Sequence, residues 1–376
     1  MRLAHLSAGK RFPYSLYARP GGLSLSLYTG PGECSGAVPK VRGMRLLVTG
    51  AAGFIGSNFV HYWVERHPDD EVVALDLLTY AGNKANLRGV AEQIDFIEGD
   101  IADLELGRRL LEEYDIEVVV NFAAESHNSL AVVDPRRFFH TNVIGTQTLL
   151  EAARDVGGLQ RFHHVSTCEV YGDLPLVSDE MFTEESPYRP RTPYNASKAG
   201  ADHAVRAYHE TFGIPISITN CSNNYGPYQF PEKVIPLFVT NALDDRELPM
   251  YASTQNKREW LHVRDHCRAI ELVLESDRIG ETYNVGSGLE ASIEDIADLV
   301  VKLTGKSESL KTIVPDRPGH DRRYLLDSSK LRRELGWEPE ISWEEGLRET
   351  VEWYAANREW WEPLKERAPV EETAWR

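Results

Sequence analysis

The sequence predicts an α/β fold, a doubly wound parallel sheet followed by a different C-terminal unit. Three observations carry that reading. From Met44 an apolar run, MRLLVTG, meets a glycine turn, AAGFIG, and then SNFVHYWVERH, whose apolar residues recur at helical spacing. The runs EVVAL, IDFIEGD, EVVVNFAAES and RFHHVST then alternate with helical stretches, as parallel strands joined by crossover helices require. After NNYGP the strict alternation is lost, so a different unit is expected there. The chain accordingly divides into residues 1–43, an extension, 44–220, mainly the doubly wound sheet, and 221–376, mainly the smaller domain.

A chain of 376 residues with 42% hydrophobic content is long enough for a sizeable core. Its formal net charge of −17 repels a phosphate backbone, which argues against nucleic acid but leaves room for a local basic pocket around a small anion. No run of about 18 apolar residues occurs, so no membrane span is expected. Cys34, Cys168, Cys221 and Cys267 form no CxxC pair and no zinc-like spacing with histidine. No metal site is expected, and reduced thiols fit a cytoplasmic setting. Residues 1–43 are rich in Gly, Pro and Ser and carry six Lys/Arg against the single acid Glu33. They lack the apolar core of a secretory signal and share with a transit peptide only a basic, acid-poor composition. A disordered tail, or residues upstream of the true start, is the expectation.

The first strand and its turn make a nucleotide-binding start. Gly50, Gly53 and Gly56 give G-x-x-G-x-x-G, where missing side chains allow a tight turn, a pyrophosphate close to the backbone and close helix packing. Phe54 and Ile55, inside that motif, are expected to contact the cofactor as well. The second strand ends at Asp76, where a carboxylate accepts hydrogen bonds from ribose hydroxyls and repels a 2′-phosphate. NAD is therefore expected rather than NADP, in a Rossmann-type domain. The third strand leads to Asp100 and Ile101; Asp100 is either a turn cap or an adenine contact. EVVVNFAAES ends in small residues beside the expected nicotinamide.

The stretch HVSTCEVYG precedes YNASK, which sets Tyr194 and Lys198 four residues apart on one helix face. Y-x-x-x-K alone is common by chance. Behind a glycine turn, and with Ser166 and Thr167 upstream, it resembles the extended short-chain dehydrogenase/reductase family. There Lys198 would hold the nicotinamide ribose and lower the tyrosine pKa, while Tyr194 would take a hydroxyl proton as hydride leaves the same carbon. The resemblance narrows over residues 44 to about 355. LDLLTYAGN, AAESH, NNYGPYQFPEKVIPLF, REWLHVRDHCRAI, YNVGSG and RPGHDRRY are similar to segments of the nucleoside-diphosphate-glucose 4,6-dehydratases. That resemblance implies oxidation at C4 by NAD, loss of water across C5 and C6, and return of hydride to C6, giving a 4-keto-6-deoxy sugar. It implies Thr167 beside the C4 oxygen, Tyr194 as base, Lys198 as its electrostatic partner and Glu169 as C5 base, a surface ion pair being the plainer role for Glu169. It places Ser126 and His127 beside the sugar, and Asn224, Lys233, Arg258 and Arg317 at the diphosphate, with His320 and Tyr324 closing the site. A smaller C-terminal substrate domain interleaved with the sheet, and a homodimer through helices of the cofactor domain, are also implied.

Two departures from the family pattern fall near the chemistry. Cys168 stands where the family has the aspartic acid that protonates the departing C6 hydroxyl. Cys168 is therefore expected to be the proton donor to O6, since a neutral thiol can donate a proton, though weakly; packing as a small apolar residue is the plainer role. In ESHNSLAVVDP, Ser129 and Leu130 replace Asp and Arg of Glu-Ser-His-Val-Asp-Arg-Ser-Ile. The expected function is an NAD-dependent nucleotide-sugar 4,6-dehydratase. A 5,6-dehydratase leaving a 5,6-ene sugar shares the Cys-Glu pair, a 4-epimerase shares Tyr194 and Lys198, and a non-enzymatic NAD-sensing module is the third alternative. Trp353, Trp360 and Trp361 are expected in the core of an amphipathic terminal helix.

Overall fold

The computed structural model describes residues 43–316 and 319–367. Except for Gly43, the segment 1–43 lies outside them. Twelve strands are present among these residues: β1 Arg45–Thr49, β2 Glu71–Asp76, β3 Ile94–Glu98, β4 Val118–Asn121, β5 Arg161–Thr167, β6 Ile216–Cys221, β7 Asn223–Tyr225, β8 Leu248–Tyr251, β9 Lys257–His262, β10 Glu281–Val285, β11 Glu290–Ser292 and β12 Lys311–Val314. Seven form one sheet in the order β10-β6-β5-β4-β1-β2-β3, with every pairing parallel. The order reverses beside β1, between β1 and β4. In open α/β sheets this is where a ligand sits, at the carboxyl ends of the strands.

The strands are continuous apolar runs because both sheet faces are covered. Leu46 and Val48 of β1 pack with Phe59, Val60 and Trp63 of the helix Phe54–Arg66 and with Ile270 of the helix Val263–Glu275. Leu47, between them, points the other way, toward Leu110, Leu149 and Leu150. Two cores thus share one sheet, with alternate residues serving each.

After β6 the chain leaves the sheet for β7 and returns to it with β10, so the sheet edge is built by residues 281–285. The excursion makes two small sheets, β11-β9-β7 and β12-β8. Around them pack the helices Val234–Leu243, Ile293–Thr304 and Trp343–Ala356, with Phe238, Trp260, Ile296 and Leu347 fully or almost fully buried between them. The expected single terminal helix is two, Trp343–Ala356 and Arg358–Lys365, because the backbone of Asn357 leaves the helical region. Trp361 is buried as expected. Trp353 and Trp360 are partly buried and pack edge-on against Tyr228, at 4.8 and 5.8 Å.

Candidate active site

At the switch point the turn after β1 lies against the backbone after β4. Gly50 has φ +65°, and a Cβ there would come within 2.6 Å of the Ala123 amide nitrogen. A Cβ on Gly56 would stand 2.2 Å from the Gly50 carbonyl oxygen. Only glycine permits both approaches. Gly53 caps the helix Phe54–Arg66 without a side chain over its first amides, which leaves that N-terminus available to a phosphate. Asp76 ends β2 with Oδ2 accepting from the Ala52 amide (2.9 Å) and Oδ1 from the Leu78 amide (2.8 Å). Burial raises its pKa, against the pull of those amides and that of Gly53. A cradle that any Cβ would fill, ending in a carboxylate, fits the pyrophosphate and adenosine ribose of NAD. Asp100 accepts from the Ala102 amide at 2.9 Å, so it caps a turn while also lining the cavity with Ile101.

The cavity has a volume of about 600 Å³ and runs from the glycine turn to the loops beyond β6. Its wall brings together Gly50, Gly53, Phe54, Ile55, Gly56, Asp76, Asp100, Ile101, Ser126, His127, Thr167, Glu169, Tyr194, Lys198, Asn224, Lys233, Arg258, His320 and Tyr324. Of the other expected site residues, Arg317 lies outside the described residues, and Cys168 is buried against Tyr324, which lines the cavity.

Tyr194 and Lys198 stand on the helix Pro193–Phe212, which Thr192 caps by accepting from the Asn195 amide (3.2 Å). Lys198 Nζ donates to the Val165 carbonyl at 2.7 Å. Burial lowers its pKa, and the Asp202 carboxylate opposes the shift. Tyr194 differs from the expectation of a phenol made acidic by lysine. Burial, then the Glu169 carboxylate, hold its pKa well above the ordinary value, and the hydrogen bond with Thr167 is the main opposing influence. Within the protein alone the phenol stays protonated.

β5 ends in a tight helical turn, Cys168–Tyr171, begun by Thr167, whose Oγ1 accepts from the Glu169 amide. The turn presents Thr167 and Glu169 to the cavity and turns Cys168 inward. The Cys168 side chain is 1% exposed and packs with Val170, Tyr171, Ala199, Tyr324 and Leu326. Burial, reinforced by Glu169, pushes its pKa well up, so it remains a thiol.

At the far end, His127 Nδ1 accepts from the Leu130 amide (3.1 Å). That assigns the proton to Nε2, which faces Glu232 Oε2 at 3.2 Å. Lys233 Nζ donates to the Ser126 carbonyl (3.3 Å). Arg258 lies over the Tyr324 ring, 4.8 Å from its centroid, and donates to the Asp321 carbonyl (2.8 Å). Tyr324 donates its hydroxyl to Asp321. Asn224 Oδ1 faces His266 Nδ1 (2.9 Å), and His320 Nδ1 faces Ser253 Oγ (3.2 Å).

Sequence reasoning passed over several buried groups. Asp202 is fully buried, accepts from Ser166 (2.9 Å) and Tyr188 (2.8 Å), and faces His164 at 3.4 Å. Burial raises its pKa, but His164, Lys198 and Ser166 outweigh that and keep it ionised. Its place four residues after Lys198 is a signal that helical periodicity carries. Tyr80 donates to Glu232 (2.8 Å) from a loop with no such signal.

A family model described as GDP-mannose 4,6 dehydratase matches residues 47–350. A dTDP-glucose 4,6-dehydratase of Mycobacterium tuberculosis is 50% identical over 324 residues, covering 86% of this chain and 97% of that protein. The crystal structure of DesIV, a dTDP-glucose 4,6-dehydratase of Streptomyces venezuelae with NAD bound, superposes with a TM-score of 0.82 at 51% identity, covering 85% of this chain and all of that one. A UDP-glucose 4-epimerase of Thermotoga maritima shares the fold at 30% identity and a TM-score of 0.78, over 84% of this chain and all of that one. With that matched span and identity, the chain belongs to the nucleotide-sugar 4,6-dehydratase family.

Proposed function

We propose that the protein is an NAD-dependent hydro-lyase that converts a nucleoside-diphosphate glucose, with dTDP-glucose the expected substrate, into its 4-keto-6-deoxy sugar. The observation that carries this reading is Glu169 on the same cavity wall as Tyr194 and Lys198. A 4-epimerase needs the last two and has no task for a carboxylate at C5. About half of the residues are shared with dTDP-glucose 4,6-dehydratases, which supports the choice of nucleotide.

NAD+ held by the glycine turn and Asp76 would supply the hydride acceptor for C4 and the donor for C6, and a positive ring that would favour a nearby phenolate. Tyr194 takes the C4 hydroxyl proton, with Thr167 bonded to it. Lys198, fixed on Val165, is held for the ribose and Tyr194, and the buried Asp202 is its counter-charge. Glu169 removes the C5 proton once the neighbouring ketone has acidified it. The electron pair of that C–H bond enters the C4 enolate, and its return expels the C6 hydroxyl. We assign the proton for that leaving hydroxyl to Glu169 as well, because Glu169 lines the cavity while the Cys168 thiol is 1% exposed and packed among apolar side chains. Asn224, Lys233, Arg258 and Arg317 are the groups proposed for the diphosphate, with Ser126, His127, His320 and Tyr324 around the sugar end. Cysteines 168, 221 and 267, all buried and unpaired, support a reducing, cytoplasmic setting. No helix among the described residues is long and apolar enough to cross a membrane. The exposed Phe139, Ile144 and Phe212, on adjoining helical segments, support a homodimer.

Incubation with dTDP-glucose in deuterated water tests the reading. The expected product is 4-keto-6-deoxy sugar with deuterium at C5, by mass and NMR. A C4 epimer with protium at C5, a 5,6-ene, or no turnover would each reject it.

A further inference from the structure

We propose that Asn128 is a positioning residue that holds the Glu169 carboxylate for the C5 proton transfer. The inference deepens the proposed function and rests on Glu169 being the C5 base. Asn128 opens the short helix Asn128–Val133, anchored at its start by the His127 cap. Its Oδ1 accepts from the Thr192 hydroxyl at 3.1 Å, and its Nδ2 donates to Glu169 Oε2 at 3.2 Å. The amide orientation is fixed from both sides. Thr192 Oγ1 already accepts from the Asn195 amide, so its own proton points at Asn128. A flipped amide would set a carbonyl oxygen against a carboxylate.

The chain Thr192→Asn128→Glu169 therefore ties the cap of the Tyr194 helix to the carboxylate beside it in the cavity. Two separate elements carry the O4 base and the C5 base, and Asn128 sets their spacing. A donor on a carboxylate also favours its charged form, the form that abstracts a proton. Among the described residues, the groups that feel the Glu169 charge include Cys168 on its own turn, Tyr194 on the Pro193–Phe212 helix, Cys221 at the end of β6, and Tyr324. Arg258 and Asp321 act on Tyr324. The step balances without Asn128 gaining or losing an atom: the C5–H bond breaks, its electron pair enters the enolate, and the proton goes to Glu169.

The test uses the NAD-loaded enzyme with dTDP-glucose and two variants. Asn128→Ala removes both hydrogen bonds. Asn128→Asp keeps size and the acceptor for Thr192 but replaces the donor with a negative charge. Single-turnover absorbance follows oxidation at C4, and deuterium wash-in follows C5. In both variants C5 exchange should fall by about 10- to 100-fold, the loss of one hydrogen bond to a charged group. C4 oxidation should change by about twofold or less, and the acid limb of the exchange profile should move to higher pH. Exchange at the native rate with an unmoved limb would overturn the proposal. So would equal losses in both steps, which mark a merely structural role. Glu169→Gln is run alongside: if it exchanges C5 at the native rate, the base assignment itself fails, which separates that failure from a failure of Asn128.

Discussion

Replacing Cys168 by alanine should cost stability and leave elimination almost intact. The residue sits where the family places an acid, so a donor role carries a clear expectation: a lost general acid slows water elimination about 10²- to 10⁴-fold. The geometry supports another outcome. The side chain is 1% exposed and packs with Val170, Tyr171, Ala199, Tyr324 and Leu326. Removing one sulfur from that cluster leaves a small void, which costs about 1–2 kcal/mol. Tyr194 and Lys198 stay in place, so C4 oxidation should persist, and elimination should follow it within about fivefold. Stopped-flow absorbance of reduced nicotinamide reports the first step. Quenched-flow mass analysis of the dehydrated sugar reports the second, and urea unfolding the stability. Reduced nicotinamide that accumulates while dehydration lags by a hundredfold or more would refute this reasoning and make the thiol the donor to O6.

Other perturbations test separate parts of the site. Tyr194→Phe should lower C4 oxidation by about 10²- to 10⁴-fold while NAD still binds, as equilibrium dialysis would measure. Gly50→Ala forces an L side chain to φ +65° and to 2.6 Å from Ala123 N; calorimetry should find a loss of about 2 kcal/mol or more together with weaker NAD binding. Glu259 is fully buried, and burial raises its pKa to about 7 against the Gly288 and Leu326 amides it accepts from. Because the folded value lies above the unfolded value of about 4.3, its contribution to stability is complete below about pH 4 and is lost as pH rises through about 7. Relative to the non-titrating Glu259→Gln, the native protein should lose about 2–4 kcal/mol between pH 4 and 8 in urea unfolding. A pH-independent difference would contradict it.

The cofactor half was legible because its features are local. Gly50, Gly53 and Gly56 lie within seven residues, Asp76 ends the next strand, and Tyr194 and Lys198 are one helical turn apart. Each is fixed by backbone geometry that short-range spacing encodes. The period-2 burial of Leu46, Leu47 and Val48 is hidden in the sequence by their common hydrophobicity, since two cores share the strand. The return of β10 to the sheet edge was not legible as a strand order, because that pairing is made across some sixty residues of intervening chain.

The sugar end resists sequence reading for a different physical reason. Its groups come from unrelated loops and act through side-chain hydrogen bonds, whose partners no spacing predicts. Asn128 and Glu169 are 41 residues apart, Tyr80 and Glu232 are 152 apart, and Thr192 reaches Asn128 from a third element. Cys168 makes the same point in reverse. A motif aligned it with an acid, but the turn Cys168–Tyr171 sends side chains 167 and 169 to the cavity and 168 to the core. Identity at a motif position reports which chemistry is possible, and the local backbone turn decides which side chain meets the substrate.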